Sequence, residues 1–156
     1  MGWTTDQMME LGSCYELAQF EALWDTADEL TTVEFLELDA PVDDRAYIVT
    51  LMKDDDTLRL WACDMAEAFV GEWVPAVAAE DKEAVIEDVR AAVSAGKGEG
   101  WYLEEWRKRR GMPAGLRGLF HWSGAVAARL AYRDTRVTDP DNAEAQVGLL
   151  VTRLQA

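Results

Sequence analysis

Asp54-Asp55-Asp56-Thr57-Leu58-Arg59-Leu60-Trp61-Ala62-Cys63-Asp64-Met65-Ala66-Glu67-Ala68-Phe69-Val70 shows most clearly how this chain is organised. Three acids open the run. Negative charge at a helix N-terminus is stabilised by the aligned peptide dipoles, by roughly 0.3–1 kcal/mol each. Behind them Leu58, Trp61, Ala62, Met65, Ala66 and Phe69 recur at spacings of three and four, the period of one helical face. Asp64 and Glu67 fall off that face. The reading is a central core helix from the acid triplet to about Val70.

Downstream, Pro75 breaks the chain. Asp81 to Ala95 has the pattern of a second amphipathic helix, with Val85, Ile86, Val89, Ala92 and Val93 inward and Gly96 as its C-terminal stop. Gly96-Lys97-Gly98-Glu99-Gly100 resembles a linker, so a subdomain boundary would fall at 96–100. It lacks the Gly-Lys-Ser/Thr ending and the preceding strand of a phosphate loop. Trp101 to Arg110 reads as a short aromatic and basic helix. Leu119 to Tyr132 reads as an Ala-rich one. Asp139-Pro140 pairs an N-cap with a first-turn proline, before a last helix with Ala143, Val147, Leu150, Val151 and Leu154 on one face.

Upstream, Thr5 to Leu11 is a helix candidate ended by Gly12. Ser13 with Glu16, and Thr31 with Glu34, have capping-box spacing. Tyr15, Leu17, Phe20, Leu23 and Trp24 follow the first box. Phe35, Leu36 and Leu38 follow the second, and Pro41 closes that segment. Tyr47-Ile48-Val49-Thr50-Leu51 has strand-like content. A short helix capped by Asp43 or Asp44 is preferred there because its neighbours are helical. The expected fold is all-α, a compact irregular bundle of seven or eight short helices in a single domain over residues 1–156.

Composition narrows the function classes. The chain has 156 residues and a net charge of −15. Residues 1–96 carry 23 Asp/Glu against 5 Lys/Arg, and residues 97–156 carry 7 against 10. The first part therefore stands at −18 and the second at +3. Such a field repels nucleic acid and anionic membranes and attracts basic proteins. It equally serves solubility alone. No apolar run approaches a membrane span. Met1 to Asp6 has neither the basic nor the apolar region of a secretory signal, and Asp6 stands where a myristoylation pattern needs Ser or Thr. The expected compartment is the cytoplasm. Cys14 and Cys63 read as small buried hydrophobes in a reducing environment, and whether they could pair is left open.

Catalytic and metal motifs are thin. His121 is the only histidine. Ser123, two residues away, would not face it on a helix. A packed histidine beside Trp122 is the simpler account. There is no paired CxxC, no HExxH and no second histidine for zinc. The run 54–56 lacks the glycine and the twelfth-position glutamate of a calcium loop. No catalytic residue, metal or cofactor is assigned.

The candidate binding residues are acidic clusters: Asp25, Asp28 and Glu29; Asp43 and Asp44, with Asp39; Asp54, Asp55 and Asp56; and Glu80, Asp81, Glu83, Glu87 and Asp88. A second patch joins Trp101 and Trp106 to Arg107, Arg109 and Arg110. Basic and aromatic residues together can grip nucleic acid. This patch is small and the rest of the molecule opposes it, so pairing with the chain's own acidic half, or with a partner, is favoured.

Leu58-Arg59-Leu60-Trp61-Ala62-Cys63-Asp64-Met65-Ala66-Glu67 resembles the central helix of small bacterial and phage proteins labelled immunity proteins. Ala84-Val85-Ile86-Glu87-Asp88-Val89-Arg90, ending near Gly96, is similar to their next helix. Gly12-Ser13-Cys14 and Thr31-Thr32-Val33-Glu34 sit at similar places. The resemblance spans residues 11–96, and from Trp101 onward the chain departs from it. It implies inhibition of a toxin partner and carries no catalytic set. The expected function is thus a non-enzymatic acidic protein that binds and inhibits a partner with a basic surface. The rivals are a small enzyme with a carboxylate or His121 site, and a self-assembling structural subunit. The sequence leaves the oligomeric state undetermined.

Overall fold

The computed structural model describes residues 31–38, 41–71, 73–135 and 140–155. The expected helix at Thr5–Leu11, the Ser13 capping box with its following apolar residues, Cys14, Asp25, Asp28, Glu29, Asp39 and the Asp139 cap lie outside them. Among the described residues the chain is all-α. It forms α1 (Thr32–Leu36), α2 (Val42–Met52), α3 (Asp55–Ala68), α4 (Ala79–Ser94), α5 (Glu99–Lys108), α6 (Ala114–Gly118), α7 (Gly124–Thr135) and α8 (Pro140–Gln155).

The start signals work as read. At α1 the Thr31 hydroxyl accepts the Glu34 N–H at 3.1 Å, and the Glu34 carboxylate accepts the Thr31 N–H at 2.9 Å. These reciprocal bonds satisfy two amides that a helix start leaves open. They also hold the Glu34 carboxyl below its ordinary range. Asp54 caps α3 by accepting from the Thr57 amide at 3.0 Å and from its hydroxyl at 2.8 Å. Partial burial opposes ionisation of Asp54, but those bonds outweigh it and lower its pKa. At the far end of α4, Gly96 takes φ +71°. Its N–H reaches the Val93 carbonyl while the Lys97 N–H reaches Ala92, both at 3.0 Å. This is the left-handed glycine stop read from the sequence.

Three expectations shift. The run at 47–51 is helical, in α2, as preferred from the sequence, and it is the cap that differs. Ile48, Val49 and Thr50 are consecutive and all buried, because α2 packs against α1, α7 and α8. A helix covered on several sides shows no single apolar stripe. Its N-cap is Pro41, with Asp43 and Asp44 in the first turn. These acids therefore favour the dipole without capping it, and Pro41 opens α2 as it ends the segment before. The helix expected from Leu119 begins instead at Gly124. Leu119, Phe120 and His121 turn back onto Leu116, Arg117 and Gly118 through their amides. Ser123 then starts α7, its carbonyl accepting from Ala127 at 3.0 Å and its hydroxyl from Val126 at 3.3 Å. The segment 96–100 is mostly not linker, because Gly98 is the N-cap of α5 and Glu99 and Gly100 are already helical.

The core is built on α3. Leu58, Trp61, Ala62, Cys63, Met65 and Ala66 are each inaccessible to solvent, and α3 packs most extensively against α7, then α4 and α8. A Cβ on Gly124 would lie 2.3 Å from the Asp55 carbonyl oxygen. Trp61 stacks near Tyr132. The contacts advance together along both helices, so α3 and α7 run parallel with their N-termini touching, and only glycine fits at that point.

Candidate functional site

The acidic candidates do not form one surface. Asp54, Asp55 and Asp56 are exposed at the N-terminus of α3, and Asp54 is committed to its cap. Glu80, Asp81, Glu83, Glu87 and Asp88 are exposed on α4. Arg90 near the end of α4 reaches Asp64 and Glu67 on α3. Lys82 near the start of α4 donates to the carbonyls of Val70, of Trp73 at 2.8 Å and of Val74, just past the end of α3. The two helices are therefore antiparallel. Their acidic N-termini lie at opposite ends of the pair. Asp43 stands apart from both, accepting the Tyr132 hydroxyl at 2.7 Å.

Within this acidic half some charges are consumed by the fold. Asp64, expected to point away from the core, is the hub of an ion cluster. It accepts from Arg153 at 2.6 and 2.7 Å and from Arg90 at 3.1 Å, joining α3, α4 and α8. The hydrogen bond to Asp64 holds Arg153 above the usual guanidinium value. Glu67 and Glu87 share Arg90, and Asp88 lies 3.8 Å from Arg109. Asp55, Asp56, Glu80, Asp81 and Glu83 have no cation within ion-pair distance among the described residues.

The basic and aromatic patch divides in two. Trp101 faces inward, edge-on to Tyr102 and tilted against Phe120. Arg109 lies over the Phe120 ring at 4.0 Å and bonds Glu105 at 3.1 Å. These two residues serve packing. Trp106 joins a half-buried cluster with Arg117 over its ring at 4.0 Å, and with His121 and Trp122 edge-on. Arg107 and Arg110 are exposed. The sequence reading missed Arg117 and Trp122 as members, since α6 and the turn after it set them beside Trp106.

His121 stacks on Trp122 with centroids 4.0 Å apart, and its Nδ1 accepts the Ser123 N–H at 3.0 Å. Burial lowers its pKa. The Ser123 hydroxyl is engaged with the start of α7 rather than with the imidazole. Cys63 is a free thiol whose burial pushes its pKa up to about 12, which keeps it an unreactive thiol at neutral pH. Among the described residues, no group of three His, Cys, Asp or Glu could hold a metal ion, and no helix is long and apolar enough to cross a membrane.

Two further features have no signal in the sequence. Arg59 lies on the buried side of α3, 1% exposed. Its guanidinium sits 3.6 Å over the Tyr102 ring and donates to the Leu119 carbonyl at 2.8 Å, and burial lowers its pKa. The second is a cavity of about 260 Å³ between α2, α3 and α7. Its apolar wall comes from Ala46, Tyr47, Trp61, Ala128 and Tyr132, and its polar lining from Asp43, Thr50, Arg129 and Arg133.

No protein-family model matches the chain, and neither the curated proteins nor the solved structures contain a significant match.

Proposed function

We propose that this chain acts by binding: its uncompensated carboxylates dock onto the basic surface of a protein partner and block it, in the manner of an immunity protein or of a phage antagonist that imitates nucleic acid. The observation that carries this reading is the division of labour among the charges. Arg45, Arg59, Lys82, Arg90, Arg109 and Arg153 are spent on contacts within the fold. Asp55, Asp56, Glu80, Asp81 and Glu83 are exposed, with no cation in ion-pair distance among the described residues. An unbalanced field of this kind steers a basic partner and speeds its encounter. The resemblance of residues 11–96 to immunity proteins points the same way.

The test is affinity capture with the tagged protein from host lysate at low and high salt, followed by titration of the partner against two variants. One carries Asp55→Asn and Asp56→Asn; the other carries Glu80→Gln, Asp81→Asn and Glu83→Gln. The two sets stand at opposite ends of the α3–α4 pair, so one set should weaken binding and flatten its salt dependence while the other does little. A partner bound equally well by both variants, or bound without regard to salt, overturns the reading.

A further inference from the structure

We propose that the cavity between α2, α3 and α7 is a binding site for a small organic monoanion, a carboxylate on a flat apolar body, held by Arg129. This site is separate from the partner-binding reading and does not rest on it.

Acids outnumber bases 30 to 15 in this chain, yet Arg129 has no carboxylate within ion-pair distance among the described residues. Its position is nevertheless fixed. Nε donates to the Thr50 hydroxyl at 2.8 Å, and that hydroxyl donates in turn to the Tyr47 carbonyl at 2.6 Å. The guanidinium carbon sits 4.6 Å over the Tyr47 ring. These contacts orient the guanidinium through its inner nitrogen and its face, and leave both terminal amino groups without an acceptor among the described residues. Two parallel N–H donors in a fixed plane match the two oxygens of a carboxylate. The aromatic walls of Tyr47, Trp61 and Tyr132, closed by the small Ala46 and Ala128, suit a flat apolar body.

Size and charge narrow the ligand. A volume of about 260 Å³ lies below the roughly 300–1,000 Å³ of drug-sized sites. Arg129 and Arg133 against Asp43 leave one net positive charge in the lining, which a monoanion balances and a dianion exceeds. Tyr47 is 42% exposed and Arg133 is exposed, which puts the rim of the cavity at the surface.

Three probes on one naphthalene body test this by calorimetric titration of the whole chain: 2-naphthoate, the neutral 2-naphthamide and the dianionic 2-naphthyl phosphate. The acid should bind about tenfold or more tightly than the amide, the margin a charge-assisted pair supplies, and more tightly than the phosphate. Arg129→Met should erase the preference for the acid over the amide. Lys97→Gln, which removes one exposed positive charge between α4 and α5, should keep it. If Arg129→Met fails to fold, Thr50→Val replaces it, and freeing Nε should reduce the same preference. Equal binding of acid and amide by the wild-type chain, or no binding of either, overturns the site. Tighter binding of the phosphate overturns the monoanion assignment. A preference that survives loss of Arg129 or release of its Nε overturns the role of Arg129.

Discussion

The two ends of α3 use the same kind of residue for opposite purposes. At its start, Asp55 and Asp56 are exposed with no cation in ion-pair distance among the described residues, and Asp54 alone of the three caps the helix. Three turns on, Asp64 is largely covered and binds both Arg90 and Arg153. Exposed carboxylates at a helix start gain a few tenths of a kcal/mol from the dipole and remain available to a partner. A covered carboxylate with two guanidinium partners fixes how three helices meet. An acid's contribution is set by what packs over it, and composition alone does not separate the two uses.

The contrast can be broken most forcefully at the helix start. Gly124→Ala should destabilise the fold by about 3 kcal/mol, since a Cβ there runs into rigid backbone of Asp55 rather than a flexible side chain. Urea unfolding followed by circular dichroism measures it, and wild-type stability would show that the two N-termini are not in contact. Next in size is Asp64→Asn, expected to cost about 2 kcal/mol, because it leaves the partly covered Arg153 without its charged acceptor and takes one of three carboxylates from Arg90. A loss of only a few tenths would place the Asp64 cluster with ordinary surface ion pairs.

The acid triplet sharpens the comparison at smaller amplitude. Asp54→Ala should cost about 1 kcal/mol through loss of the cap, whereas Asp55→Asn with Asp56→Asn should stay within about 0.5 kcal/mol. Equal losses from the two variants would mean that Asp54 is not the cap. The smallest effect concerns His121. Its folded pKa lies below the ordinary value of 6.5, so the unfolded chain takes up its proton first as pH falls. Its stabilisation is full above about pH 6.5 and is lost as pH drops through the folded value. Stability curves of wild type and His121→Gln should therefore converge towards acid. Curves that stay parallel from pH 7.5 to 5 would remove His121 from the pH response.

Legibility followed how local the signal was. The capping box at Thr31 and Glu34, the Asp54 start, the one-sided stripe of α3 and the Gly96 stop are all written within a few neighbouring residues. Every one of them could be read directly. The segment in α2 read ambiguously because its burial comes from three other helices, which hides the helical period. The start of α7 was misplaced because the turn at 119–123 is held by contacts with α6, although Ser123 was present as a capping signal. Among the candidate site residues, Trp101 and Arg109 looked available and are used in packing. Trp106, by contrast, gained Arg117 and Trp122 as neighbours.

The sequence by itself determined the all-α class of the described residues, most helix boundaries and the imbalance of charge, because caps, periodicity and composition act over one or two turns or over the whole chain at once. Only the tertiary structure decided which charges remain free. It paired Asp64 with two distant arginines, set the acids of α3 and α4 at opposite ends, and left Arg129 beside an aromatic cavity with no carboxylate in ion-pair distance among the described residues. Those outcomes depend on which helices cross and at what angle. Long-range packing sets that geometry, and no short stretch of residues encodes it.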